Sequence, residues 1–280
     1  MAKNSHIEWT HHTFNPWWGC TKVSPACDNC YAELWAKRVG AKVWGHTASR
    51  RFFGDSHWKE PVAWNAEAER NGERARVFCA SMADVFERRA DLNPPRERLW
   101  KLIESTPWLD WLLLTKRPQN AAKMVPWGNS WRKNVWIGTT VENQKFAELR
   151  LPHLLALPAS VRFLSCEPLL GPIDLTKWIG SGAGFPIDWV IAGGESGPKA
   201  RPMHPDWARG LMRQCQANEI AFHFKQWGHW VPAEISGAPE DAEEIAFDDA
   251  RSVRMTRLPK KVAGRILEGL TWDQVPVGAS

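Results

Sequence analysis

Cys20, Cys27 and Cys30 stand at C-x6-C-x2-C spacing within Asn15-Pro-Trp-Trp-Gly-Cys-Thr-Lys-Val-Ser-Pro-Ala-Cys-Asp-Asn-Cys-Tyr31. One short loop therefore offers three thiolates, and spacing this tight reads as a ligand framework rather than as unconnected cysteines. Three is one fewer than a closed four-cysteine zinc site or iron–sulfur cluster uses. A metal centre with three protein ligands keeps one position open for a substrate, a water or a cofactor. His11 and His12 lie just upstream, and one of them could complete a Cys3His zinc site. Neighbouring strand residues point to opposite faces, so at most one of the two would serve.

Other polar groups fall where short apolar runs end. They are Ser81 and Asp84; Lys116 and Arg117; Thr139, Thr140 and Glu142; Cys166 and Glu167; Gly193-Gly-Glu195-Ser196; and Lys225 and Gln226. Lys116 and Arg117 suit a carboxylate or phosphate, or are ordinary loop charges. Asp84 and Glu167 suit a sugar hydroxyl or an ammonium, or pair with a neighbouring arginine. Gly193–Gly197 after a strand is a backbone nest for an anion, though glycine pairs are common there. Gly180–Gly184 reads as a flexible connection. Cys79 and Cys166 could donate hydrogen or act as nucleophiles, but free cysteine is most often a small buried hydrophobe. Cys215, inside an expected helix, reads as core.

The elements that must position these groups follow from periodicity. Strand-length runs lie at Val77–Ala80, Trp111–Leu114, Val135–Gly138, Val161–Leu164, Trp189–Ala192 and Ala221–Phe224. Amphipathic segments at about 94–105, 118–124, 143–156 and 205–218 separate several of them. Pro94-Pro95 and Pro205 suit first turns. Ile7-Glu-Trp9 as strand, then the cysteine loop and a helix from Tyr31 to Val39, supplies one more unit. Strand alternating with helix implies a parallel sheet. The expected class is α/β, a partial (β/α) TIM-type barrel of about six or seven parallel strands, with a doubly wound sheet as runner-up. In either, ligands bind at the carboxyl ends of the strands, where all the polar groups above fall. The barrel is expected over 1–230, with an insertion at about 40–75 that could act as a lid. Residues 231–280 are expected as an extension, an acidic loop and then a short basic amphipathic segment.

With 280 residues and 44% hydrophobic content the chain can bury a large core. No apolar run approaches a membrane span, and the N-terminus lacks a signal-peptide core. Scattered remaining cysteines suggest no disulfide framework, so a cytoplasmic setting is expected. A net charge of +5 permits a polyanionic partner without demanding one. Nineteen tryptophans against one tyrosine are read mainly as packing, with a few available for stacking on bases.

Taken together the motifs resemble a known family, the phage-associated radical-SAM-like proteins of unassigned function, distantly similar to spore photoproduct lyase. The resemblance rests on Ile7-Glu-Trp-Thr10, Asn15–Pro25, Cys27-Asp-Asn-Cys-Tyr-Ala32 and Ser81-Met-Ala-Asp-Val-Phe86. It continues through Leu114-Thr-Lys-Arg-Pro118, Ser165–Pro172, Gly193–Gly197 and Phe224-Lys-Gln-Trp-Gly228, nearly the whole chain. It implies that Cys20, Cys27 and Cys30 hold a [4Fe–4S] cluster, with S-adenosylmethionine on the remaining iron. One electron from an external donor would then cleave the sulfonium and yield a 5′-deoxyadenosyl radical that abstracts hydrogen from a substrate. A nucleic acid or nucleotide, modified or repaired, is the leading expectation for that substrate.

Two departures from the broader superfamily bear on residue roles. The first cysteine spacing is x6 instead of the usual x3, and Asn29 replaces the aromatic residue before the last cysteine. Gly-Gly-Glu, usually after the second strand, comes near the end of the barrel, so Ser81 and Asp84 are expected at the methionine end. Lys116, Arg117, Glu195 and Lys225 are further cofactor-binding candidates, and Cys166 and Glu167 the catalytic candidates. The rivals are a non-enzymatic Zn2+ module that binds nucleic acid, and a hydrolytic or transferase barrel using Glu167 and Asp84.

Overall fold

The computed structural model describes residues 3–179, 186–235, 237, 242–248 and 253–276. Seven parallel strands form one sheet in chain order. They are β1 (His12–Thr13), β2 (Ala75–Cys79), β3 (Leu109–Thr115), β4 (Val135–Thr140), β5 (Val161–Cys166), β6 (Trp189–Gly193) and β7 (Ala221–Gln226). The sheet curls into a half-barrel, a partial TIM-type architecture. The longer helices are α1 (Tyr31–Arg38), α2 (Asp55–Asn71), α3 (Asn93–Ser105), α4 (Gln144–Leu155) and α5 (Pro205–Ala217).

Both faces of the sheet are buried, which is why its strands read as continuous apolar runs rather than as alternation. Outward-facing Val77, Trp111, Leu113, Ile137, Leu164, Val190 and Phe222 join Trp58, Leu99, Leu151 and Leu211 of the helices in the main core. Inward-facing Phe78, Leu112, Trp136, Phe163, Trp189 and Ile191 form a second core around Trp9. The Trp9 ring lies 4.6 Å from Phe78, 6.2 Å from Trp189 and 6.4 Å from Phe163. Gly138 leaves room for this packing, because a Cβ there would stand 2.4 Å from the Phe163 ring.

Three expectations change. Ile7–Trp9 is not the first strand; it is a turn that delivers Trp9 as a plug, and pairing with β2 begins at His12. The Thr10 hydroxyl ties this turn to the sheet by donating to the Arg76 carbonyl at 3.0 Å. Residues 40–75 are not simply an insertion. They contain α2, whose Trp58, Trp64 and Ala68 enter the main core, so α2 is a sheet-covering crossover helix rather than a lid. The segment expected as an acidic loop contributes Glu244–Ala246 to an antiparallel sheet with Trp230–Pro232 and Arg254–Arg257. The chain then runs back along β7, where the Phe224 amide donates to the Trp272 carbonyl at 2.9 Å. The glycine-rich Gly180–Gly184 stretch lies outside the described residues. No helix among the described residues is long and apolar enough to cross a membrane.

Candidate cofactor site

The cysteine loop begins where β1 ends, and its entry is set by Gly19. That residue has φ +115°, and a Cβ on it would lie 2.3 Å from the Val43 carbonyl oxygen, so the close backbone approach requires glycine. The Gly19 amide donates to the Met82 carbonyl at 3.0 Å, and the Gly45 amide to the Cys20 carbonyl at 3.0 Å. Pro25–Cys27 forms a single 3-10 turn, and Cys30 is the N-cap of α1. All three cysteines line one cavity of about 380 Å3 at the carboxyl ends of the strands.

The cavity has an apolar floor and a polar rim. Ile7, Trp9, Phe78 and Leu114 line it on the barrel side, and Tyr31 and Trp44 line it as well. Ser81, Asp84, Lys116, Arg117, Glu167, Glu195 and Lys225 all line it, so seven polar residues singled out from sequence come together with the three cysteines. Cys166 does not. Alternation along β5 turns Ser165 into the cavity and Cys166 outward, into the main core that also holds Cys79 and Cys215. Burial raises the Cys166 thiol far above its usual range, which suits a packed hydrophobe and removes the basis for a catalytic role. His11 and His12 also lie elsewhere. The His11 ring accepts from the Arg76 amide at 2.8 Å, and the His12 ring stacks on Trp64 at 4.6 Å.

Two carboxylates at the rim are filled by protein donors. Asp84 accepts from the Thr115 hydroxyl at 2.7 Å, the Phe86 and Lys116 amides at 3.0 and 3.1 Å, and Arg117 Nη1 at 2.7 Å. Burial alone would raise this carboxyl, but Arg117 and those donors hold it below its usual range. Glu195 is filled likewise. It accepts from Asn29 Nδ2 at 2.9 Å, and from the amide, Nε and Nη2 of Arg201 at 2.9, 2.9 and 2.5 Å. Arg201 Nη2 also reaches the Pro25 carbonyl at 2.9 Å. Asp84 and Glu195 thus clamp the cysteine loop from β2 and β6 instead of offering free acceptors to a ligand.

Capacity for a ligand remains at other residues. Ser81 accepts from Asn15 Nδ2 at 3.0 Å, and its own hydroxyl hydrogen has no partner among the described residues. Lys225 Nζ spans both Glu167 oxygens at 2.8 Å, and Gln226 Nε2 donates to Glu167 Oε1 at 3.1 Å. Lys116 and Lys260 line the cavity with no ion pair among the described residues. Thr140, read from sequence at the end of its strand, also lines the cavity, whereas Ser165, Asn29, Arg201 and Lys260 were not singled out as site residues. Ser165 was readable from period-two alternation. Arg201 and Lys260 reach the site through loop geometry that leaves no periodic signal.

Among the described residues no three His, Cys, Asp or Glu side chains converge as ligands of a single metal ion do. The donor set is nevertheless three thiols of one loop facing one cavity. That fits an iron–sulfur cluster, whose thiolates bind separate irons and need not meet at a point. Burial, with Asp84 nearby, pushes the Cys20 thiol up to about 12, against the pull of Arg117. Ligation of a metal is what would deprotonate such a group.

A model of the DUF5131 family, described as a protein of unknown function, matches residues 4–276. No curated protein matches. Among solved structures the chain is similar to a mutant of spore photoproduct lyase, at 12% identity and a TM-score of 0.42, covering 88% of this chain and 67% of that one.

Proposed function

The chain belongs to the DUF5131 family of unknown function, and for it we propose an iron–sulfur enzyme of radical S-adenosylmethionine type. The observation that carries this reading is the placement of Cys20, Cys27 and Cys30 on one cavity at the carboxyl ends of a parallel half-barrel. When bound, a [4Fe–4S] cluster with S-adenosylmethionine would supply one-electron radical chemistry for hydrogen abstraction from a substrate. Cys20, Cys27 and Cys30 would hold the cluster.

The remaining roles follow from free capacity. Ser81, beside the cysteine loop, is the residue left to meet the methionine end, because Asp84 is filled. Glu167, held by Lys225 and Gln226, presents a fixed carboxylate toward hydroxyl or amine groups across the cavity. The apolar floor of Trp9, Phe78 and Leu114 keeps bulk water from the barrel side, which protects reactive species from side reactions. Lys116 and Lys260, which make no ion pair among the described residues, favour an anionic substrate; a nucleotide or nucleic acid is the class we propose.

Anaerobic purification tests the reading. A brown protein with iron and sulfide in cluster stoichiometry, forming 5′-deoxyadenosine when reduced with S-adenosylmethionine, is expected. Cys27→Ala should abolish the product. A colourless wild type carrying one zinc per chain would overturn the proposal.

A further inference from the structure

We propose that Arg117 is a positioning residue for the iron–sulfur centre: it donates a hydrogen bond to the Cys20 sulfur and raises the potential at which the centre accepts its electron. The inference rests on the cluster reading above and concerns a residue outside the ligand set. Arg117 Nη1 lies 3.8 Å from Cys20 Sγ while donating to Asp84 Oδ2 at 2.7 Å. Its Nη2 donates to the Thr21 carbonyl at 2.7 Å, so one planar group bonds the ligand's side chain and the next residue's backbone.

The fork has no room to turn. Arg117 is buried, and Asp84 is itself fixed by the Thr115 hydroxyl and the Phe86 and Lys116 amides. The Thr115 hydroxyl also accepts from the Arg117 amide at 2.8 Å, which fixes the backbone that carries the fork. The guanidinium is thus held at the sulfur by β3 and by the loop after β2, independently of any ligand. An N–H donated to a cluster thiolate withdraws electron density and favours the reduced, more negative state, so the potential rises. The effect is one-sided. Among the described residues the Cys27 sulfur has the Ser24 hydroxyl at 4.0 Å, and neither Cys27 nor Cys30 receives a hydrogen bond from a guanidinium or an ammonium.

The test is an EPR-monitored redox titration of anaerobically reconstituted wild type, Arg117→Gln and Arg117→Lys, with iron and sulfide counted in each. The expected result is cluster content near wild type and a midpoint shifted to more negative potential in R117Q, with R117K in between and a changed EPR line shape in both. Lysine keeps the charge and the Asp84 pairing but loses the fork, so it keeps the question answerable if R117Q fails to fold. Variants that hold a cluster at the wild-type potential overturn this role and leave the cluster reading standing. A wild type that takes up no iron and sulfide overturns both.

Discussion

Asp84 follows β2 and Glu195 follows β6, and both are carboxylates whose oxygens are taken by protein donors. Their energetic weights differ because their partners are differently exposed. The Asp84–Arg117 pair is almost wholly buried, with side-chain exposures of 7% and 10%, whereas Arg201 opposite Glu195 is 33% exposed. Removing one member of a buried pair leaves an uncompensated charge in low dielectric, at a cost of about 3–5 kcal/mol. Asp84→Asn should therefore lower urea stability by that order. Glu195→Gln should cost markedly less, since solvent screens Arg201. Equal losses in the two variants, measured by urea unfolding at neutral pH, would contradict the burial argument. Neither carboxylate needs a ligand to be satisfied, so stability and cofactor uptake should separate most clearly at Ser81, whose hydroxyl hydrogen is unpartnered among the described residues.

The cysteine loop as an element is held at its entry by backbone and at its exit by side chains. Gly19 is the entry, and any side chain there meets the Val43 carbonyl at 2.3 Å with φ in the left-handed region. Gly19→Ala should cost roughly 1–3 kcal/mol of strain or displace the loop. The expected signature is reduced iron uptake with far-UV circular dichroism unchanged; full uptake would show that the loop tolerates the shift. How much of this was legible in the sequence depends on the element. Strands β2 to β7 were, because a parallel strand buried on both faces leaves a continuous apolar run. Pro94-Pro95 in the first turn of α3 and Pro205 at the start of α5 were equally plain, since start signals are local. Strand β1 was misplaced, because Ile7-Glu-Trp9 has strand-like composition while tertiary packing uses Trp9 as a plug. α2 was hidden by its irregular run of His57, Trp58, Pro61 and Trp64, which a barrel surface accepts and a pattern search does not. Ser165 and Cys166 could have been told apart by counting alternate residues from Phe163. The Asn29–Glu195 contact could not, since 166 residues separate the pair and only the tertiary fold brings them together.

At the scale of the whole molecule, the half-barrel interior changes from aromatic to charged toward the cavity, and His223 marks the boundary. It sits on the inner face of β7, 2% exposed, edge-on to Trp189 at 6.3 Å and two residues before Lys225. Neither ring nitrogen has a hydrogen-bond partner among the described residues, and the Asp273 carboxylate is 3.7 Å away. Burial first, and then Arg265, depresses this imidazole from 6.5 to about 4. A depressed histidine folds neutral, so its contribution to stability is complete above the unfolded value near 6.5. That contribution is lost as the pH falls toward 4, because protonation then favours the unfolded chain. Linkage puts the loss from His223 at about 2 kcal/mol by pH 5. His12, lowered to about 4 chiefly by burial, adds a similar loss in the same window. His223→Phe, which fills the space without a titrating group, should therefore remove about 2 kcal/mol of the stability lost between pH 7 and pH 5 and leave the losses from His12 and from His11 and His229, which burial also depresses. Urea midpoints of the two proteins at those pH values decide it. Parallel pH dependences would mean that His223 takes up its proton inside the folded barrel, with Asp273 moving in to meet it.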